Sequence, residues 1–360
     1  MKPLISHAAV AALGMGVGIA LIAFLDRDEK HEVSGDGRIH LPGRHSRASS
    51  SHPGADRSKS GRGETSLDLL AAPDSAVLIR WLDHFEGDAR AMAEAKATVG
   101  ILTGDPDLVR EAIASDPSNP FLLFMGATFR KMPEAERLDL ARRAAAADPE
   151  NAAAAYVLAE RLYVAGDPKE ALRILAQASD LPRMDVFRAK SLFLVEEALV
   201  GAGTHETTAK LSSLSNLTFP FGMSELIGLA DSVNSSQENI SPEESSVAAA
   251  AIARMGTRIG DRDSGSILDS LFGLKLQKAT LAGLPDDAPS AYQGLTVAEA
   301  RGYLEDASRR LKEEVEHLPD PTQVMESHPE LMDGYADRFM TLGELEAWRW
   351  LNQRMGETQK

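Results

Sequence analysis

Apolar residues recur at helical spacing along most of the chain, and strict alternation is rare. Val77, Leu78, Trp81, Leu82 and Phe85 follow the three-and-four step that gathers side chains on one helix face. Leu158, Ala159 and Leu162 repeat that step, as do Ala171, Leu172, Leu175 and Ala178. Capping boxes at Ser241–Glu244, Thr296–Glu299 and Thr341–Glu344 predict three helix starts, because hydroxyl and carboxylate can each satisfy a first-turn amide. The second half reads as helices over 204–214, 223–235, 241–257, 264–282, 296–316, 329–340 and 341–355. The β-leaning stretch Leu217–Gly222 contains a proline and reads as a connector. The predicted class is all-α.

One apolar run differs from the rest. Ala8 to Leu25 carries no charged side chain, and from Leu4 to Leu25 a helix reaches roughly 33 Å, enough to cross a hydrocarbon core. A cleavable leader needs a small-x-small site. The best candidate, after Ala23, has Leu21 two places before it and matches poorly. An uncleaved signal anchor over 1–25 is the expectation. Its N-terminus is cytoplasmic by the positive-inside tendency, and the body lies outside the cytoplasmic membrane, periplasmic in a Gram-negative cell. Gly14 and Gly18 stand four apart, a spacing that lets two membrane helices approach and form a homodimer, although it also suits a plain Ala/Gly-rich anchor.

Composition then sets the domains. Residues 1–65 hold nine Lys/Arg against seven Asp/Glu, a net +2, so the remaining chain carries −18 against a whole-chain −16. Ser34 to Gly63 is Ser, Gly, Arg, His and Pro with almost nothing to bury, so 26–65 reads as a flexible basic linker. Hydrophobic residues at 43% and charged ones at 26% exclude wholesale disorder and a polytopic membrane protein. The absence of cysteine removes disulfides, thiolate catalysis and Cys-ligated metal, and the acidic balance argues against nucleic acid.

Residues 66–200 contain an internal repeat. Asp116-Pro-Ser-Asn119, Asp148-Pro-Glu-Asn151 and Asp180-Leu-Pro182 place an Asp every 32 residues. Asp can end one helix and cap the next. Gly166-Asp167 makes a tight turn inside the clearest unit, and Gly104-Asp105 matches it. This arrangement resembles a tetratricopeptide repeat over about residues 88–200. Ala159, Gly166-Asp167, Ala171 and Ala178 fall on the family's small and turn positions. The preceding unit keeps Ala127 and Ala144 but has Met132-Pro133 at its turn, no unit carries the family's first-helix Trp, and the period is 32 rather than 34. The resemblance implies a right-handed α-solenoid of helix hairpins, with 201–360 as degenerate repeats or a helical cap. It also implies that the first helix of each pair lines a concave binding face. Carried onto this chain, that face is Phe121, Phe124, Thr128 and Lys131 in one unit, and Ala153, Tyr156, Glu160 and Tyr163 in the next. The same aromatics would equally fill the gap between adjacent pairs.

No catalytic constellation emerges. His205-Glu206 lacks a second His one turn on, and Asp261–Gly265 opens like a calcium loop but has Phe272 where a Glu is needed. Glu313 and His317, with Asp320 nearby, fit a solvated acidic face better than a metal site. Along the C-terminal helix Leu342, Leu345, Trp348, Leu351 and Met355 form one stripe and Trp350 faces the opposite way, as in a helix wedged between neighbours, although an exposed Trp would mark a partner site. The expected function is a membrane-anchored scaffold that holds a protein or peptide, without metal or cofactor. The rivals are an envelope hydrolase or lyase with its site in 201–360, and a ligand-sensing regulator.

Overall fold

The computed structural model describes residues 75–85, 87–216, 223–235, 241–260, 265–282, 284–292, 294–318, 324 and 327–358. The expected anchor with Gly14 and Gly18, and the linker 26–65, lie outside them. Among the described residues there are fifteen α-helices and no strand. They are α1 (Ser75–Trp81), α2 (Ala89–Thr103), α3 (Pro106–Ser115), α4 (Pro120–Thr128), α5 (Glu134–Ala147), α6 (Ala152–Val164), α7 (Pro168–Ala178), α8 (Arg188–Gly201), α9 (Glu206–Asn216), α10 (Met223–Ser235), α11 (Pro242–Gly260), α12 (Ile267–Ala279), α13 (Val297–Glu316), α14 (Met332–Leu342) and α15 (Glu344–Thr358). None of these helices is long and apolar enough to cross a membrane.

Helices α2/α3, α4/α5 and α6/α7 form three successive pairs, each packed on the next. Their junctions are built alike. Asp116 (φ −139°, ψ 77°) and Asp148 (φ −138°, ψ 70°) end α3 and α5 in one conformation. Asn119 and Asn151 then cap α4 and α6 by accepting from Phe121 and Ala153 amides, each at 3.1 Å. Each Asn also donates back to its Asp, at 3.0 and 3.2 Å. Asp therefore stops the helix while Asn starts the next, where the sequence pattern alone suggests Asp for both roles. The turns within the first and third pairs match as well. Gly104 (φ 70°) and Gly166 (φ 85°) adopt the left-handed conformation that favours glycine, and Asp105 and Asp167 cap the helix that follows.

At the third mark the pattern breaks. After Asp180 the chain turns back along the second junction, where Ala152 donates to Arg183 O (2.7 Å) and Asn151 Nδ2 to Asp185 O (2.8 Å). Phe187, at φ 55°, sets its ring edge-on against Phe121 and Phe124, and α8 starts there. Helix α8 packs on α1 and α2, α10 on α6 and α12, and α11 on α7. Helices α9, α14 and α15 complete a C-terminal core around Trp348.

Helices α11 and α12 cross where glycine faces glycine. A Cβ on Gly273 would lie 2.5 Å from Gly256 O and 2.7 Å from Gly260 N, both backbone. Gly273→Ala is expected to cost roughly 2–3 kcal/mol, more than alanine's helix-propensity gain of about 1 kcal/mol, because backbone cannot retreat as a side chain can. Gly302→Ala on α13, where nothing lies within 4 Å, supplies the control. Thermal melts should drop for the first and hold or rise for the second.

Of the three anticipated capping boxes, those at Ser241/Glu244 and Thr296/Glu299 form. The third does not. Thr341 Oγ1 donates to Asp337 O (2.8 Å), and Glu344 reaches instead to another helix. A box at Ser266/Asp269, beyond the three anticipated, opens α12.

Candidate functional site

The anticipated concave face is covered by the chain itself. Phe121 and Phe124 are buried in the core shared by the first pairs, and Thr128 and Ala153 are buried with them. Tyr156 has no exposed surface, and Glu160 is buried beneath α10. Lys131 is exposed, with its ammonium over Gly104, and Tyr163 is half-buried where two cores meet. The expectation that these aromatics line an open groove is therefore corrected. Helices α8 and α10 occupy that side. Phe121-Leu122-Leu123-Phe124-Met125 held the clue, since a helix apolar all round must be covered all round.

Under α10 lies a buried charge network. Arg137 of α5 donates to Glu225 of α10 (2.9 Å), to Glu134 (2.8 Å) and to the Ala127 carbonyl (3.1 Å). Arg161 of α6 donates to Glu134 (2.7 Å), lies 3.9 Å from Glu225 and touches Glu160. The side chains of Arg137 and Glu225 are only 5% and 2% exposed. Burial pushes the Glu160 carboxyl up to about 6, against the pull of Arg161. Burial and the neighbouring Arg161 lower Arg137 from the usual guanidinium range. On the same face of α6, burial lifts the Tyr156 hydroxyl to about 12, and its oxygen has no hydrogen-bond partner.

Two further nodes tie distant segments. At the first, Glu94 of α2 meets Asn119 (3.0 Å), Arg90 (3.3 Å) and Lys190 of α8, whose ammonium also sits 4.7 Å over the Phe121 ring. Burial pushes Glu94 up, but Lys190, Asn119 and Arg90 together overcome it and leave the carboxyl below its usual range. At the second, Glu344 of α15 accepts from the Ile267 amide (2.8 Å) at the start of α12. Beside it Asp269 accepts from Ser266 N (2.9 Å) and pairs with Arg188 of α8. Trp348 is buried near this node, whereas Trp350 is half-buried under the Arg338 guanidinium at 4.0 Å.

A surface cleft of about 450 Å³ opens between α5, α6 and α7, with Leu158 and Leu162 in its lining and Arg142 across from Asp167 and Glu170. Of the histidines, His317 Nδ1 sits 2.5 Å from the Glu313 carbonyl, and Asp320 lies outside the described residues. No protein-family model, no curated protein and no solved structure matches the chain.

Proposed function

We propose that the chain is a membrane-anchored protein-interaction scaffold, a tetratricopeptide-like α-solenoid carried on a Ser/Gly/Arg/His-rich tether. Residues 4–25 hold it in the membrane, with the body outside the cytoplasmic face, and Gly14 and Gly18 pair two anchors. The observation that supports the reading is the repeated junction. Asp116/Asn119 and Asp148/Asn151 make the same bonds in the same conformation 32 residues apart, as expected of stacked units that cannot bury their apolar faces singly.

Crosslinking of the full chain in intact membranes tests it. The protein should resist a high-salt wash and yield discrete crosslinked adducts with a partner protein. A soluble chain with a mature N-terminus at Phe24, or a membrane-bound chain giving no adduct, overturns the reading.

A further inference from the structure

We infer that the open cleft between α5, α6 and α7 is a binding site for a short peptide with free ends and an aliphatic side chain. The cleft has its cause in the sequence. Helix α5 ends in alanine at 144–147, and Ala145 and Ala146 line the cleft with side chains too small to fill it. Leu158 and Leu162, one turn apart on α6, supply its apolar lining and are 8% and 4% exposed. At about 450 Å³ the cleft lies within the range of roughly 300–1,000 Å³ at which concave sites hold small molecules.

The two sides of the cleft are charged in opposite senses. On α5 the Arg142 side chain is exposed and makes no ion pair among the described residues. Across from it, Asp167 spends Oδ1 on the Glu170 amide (3.3 Å), and Glu170 pairs with Arg173. Asp167 is thus left as the carboxylate without a cation. Such walls are best met by a molecule that holds its own opposite charges apart. In an α-amino acid the ammonium and carboxylate share one carbon, whereas in a peptide with free ends each added residue separates them by up to about 3.5 Å. The carboxylate end accepts from Arg142, whose guanidinium fork suits it, and the ammonium end donates to Asp167. An aliphatic side chain between them covers Leu158 and Leu162. The site needs neither membrane nor partner protein, so it stands apart from the scaffold reading.

Calorimetric titration of the full chain with the tripeptide Ala-Leu-Ala tests the inference. It should bind saturably, with a Kd on the order of 0.1–1 mM. Arg142→Gln and Asp167→Asn should each weaken binding about three- to tenfold, and the second keeps a side chain able to cap α7. Each wall should answer to one end of the peptide. A C-terminally amidated peptide should bind Arg142→Gln as well as it binds the native chain, and an N-acetylated one should be indifferent to Asp167→Asn. Ala146→Leu narrows the cleft and should abolish binding at an unchanged melting temperature. The absence of saturable binding, or binding that survives all three substitutions, overturns the inference. So does a peptide blocked at both ends that binds as tightly as the free one, because the cleft would then take an internal segment of a longer chain.

Discussion

Arg137→Met should lower the unfolding free energy by about 3–5 kcal/mol, a large share of what holds a domain of this kind together. The guanidinium is buried and serves three acceptors: Glu225, Glu134 and the Ala127 carbonyl. Without it Glu225 loses its close ion pair, and Arg161 stands 3.9 Å away, already engaged with Glu134 and Glu160. A carboxylate stranded in the interior costs far more than the ion pair contributes when intact. The double variant Arg137→Met/Glu225→Leu should therefore recover most of the loss, because neither charge remains to be desolvated. Denaturant titration of the two single variants and the double completes the cycle. Equal losses for the single and double variants would show that the pair does not act through uncompensated charge.

The second large effect is a dependence on pH, and it points opposite to ordinary acid denaturation. Glu344 is 6% exposed, and burial pushes its carboxyl up to about 7, against the Ile267 amide and Arg188. The charges around it agree. Arg188 of α8 is committed to Asp269 of α12, Tyr335 of α14 is held neutral by burial, and Trp348 lies on the same helix. One cation for two buried carboxylates leaves Glu344 to hold a proton. Its ordinary value is 4.5, so the folded chain binds that proton more tightly than the unfolded one. Stability is highest where both states are protonated, falls as pH rises from 4.5 to about 7, and stays low above that. The span is about 3 kcal/mol. Glu160, raised to about 6, adds to it with the same sign. Glu344→Gln keeps an acceptor for Ile267 without a charge. It should raise the melting temperature at pH 8 and flatten the slope between pH 5 and 8. An unchanged slope would remove Glu344 as its source.

Local chemistry explains why much of the helical layout could be read directly. Helix 223–235 was anticipated residue for residue, and α13 to within one residue, because capping boxes and apolar steps act within a single turn. The junctions were legible for the same reason, apart from the exchange of roles between Asp and Asn. What escaped depends on contacts between remote segments. Nothing near Glu344 says that it will prefer the Ile267 amide to its own Thr341, since that choice is made by docking two helices 77 residues apart. Likewise Tyr156 and Tyr163 share a face by spacing, but only the placement of α10 and α11 decides that Tyr156 is sealed and Tyr163 is not. The fully apolar α4 was a warning of that covering, weaker than the resemblance that pointed to an open groove.

The return of the chain at Arg183–Phe187 bears on how the molecule comes apart. In an open array each unit touches only its neighbours, so melting can spread from an end and units can be removed singly. Here α8 reaches back to the first pair, Asn151 of the second junction is bonded to Asp185, and Phe187 rests on two phenylalanines of the middle pair. A fray at either end of the stack is tied to its centre by the same strap. Such closure converts a one-dimensional arrangement into a unit that gains or loses its order together. Deleting the 32 residues from one Asp/Asn junction to the next would not shorten this molecule but would leave the strap without its seat.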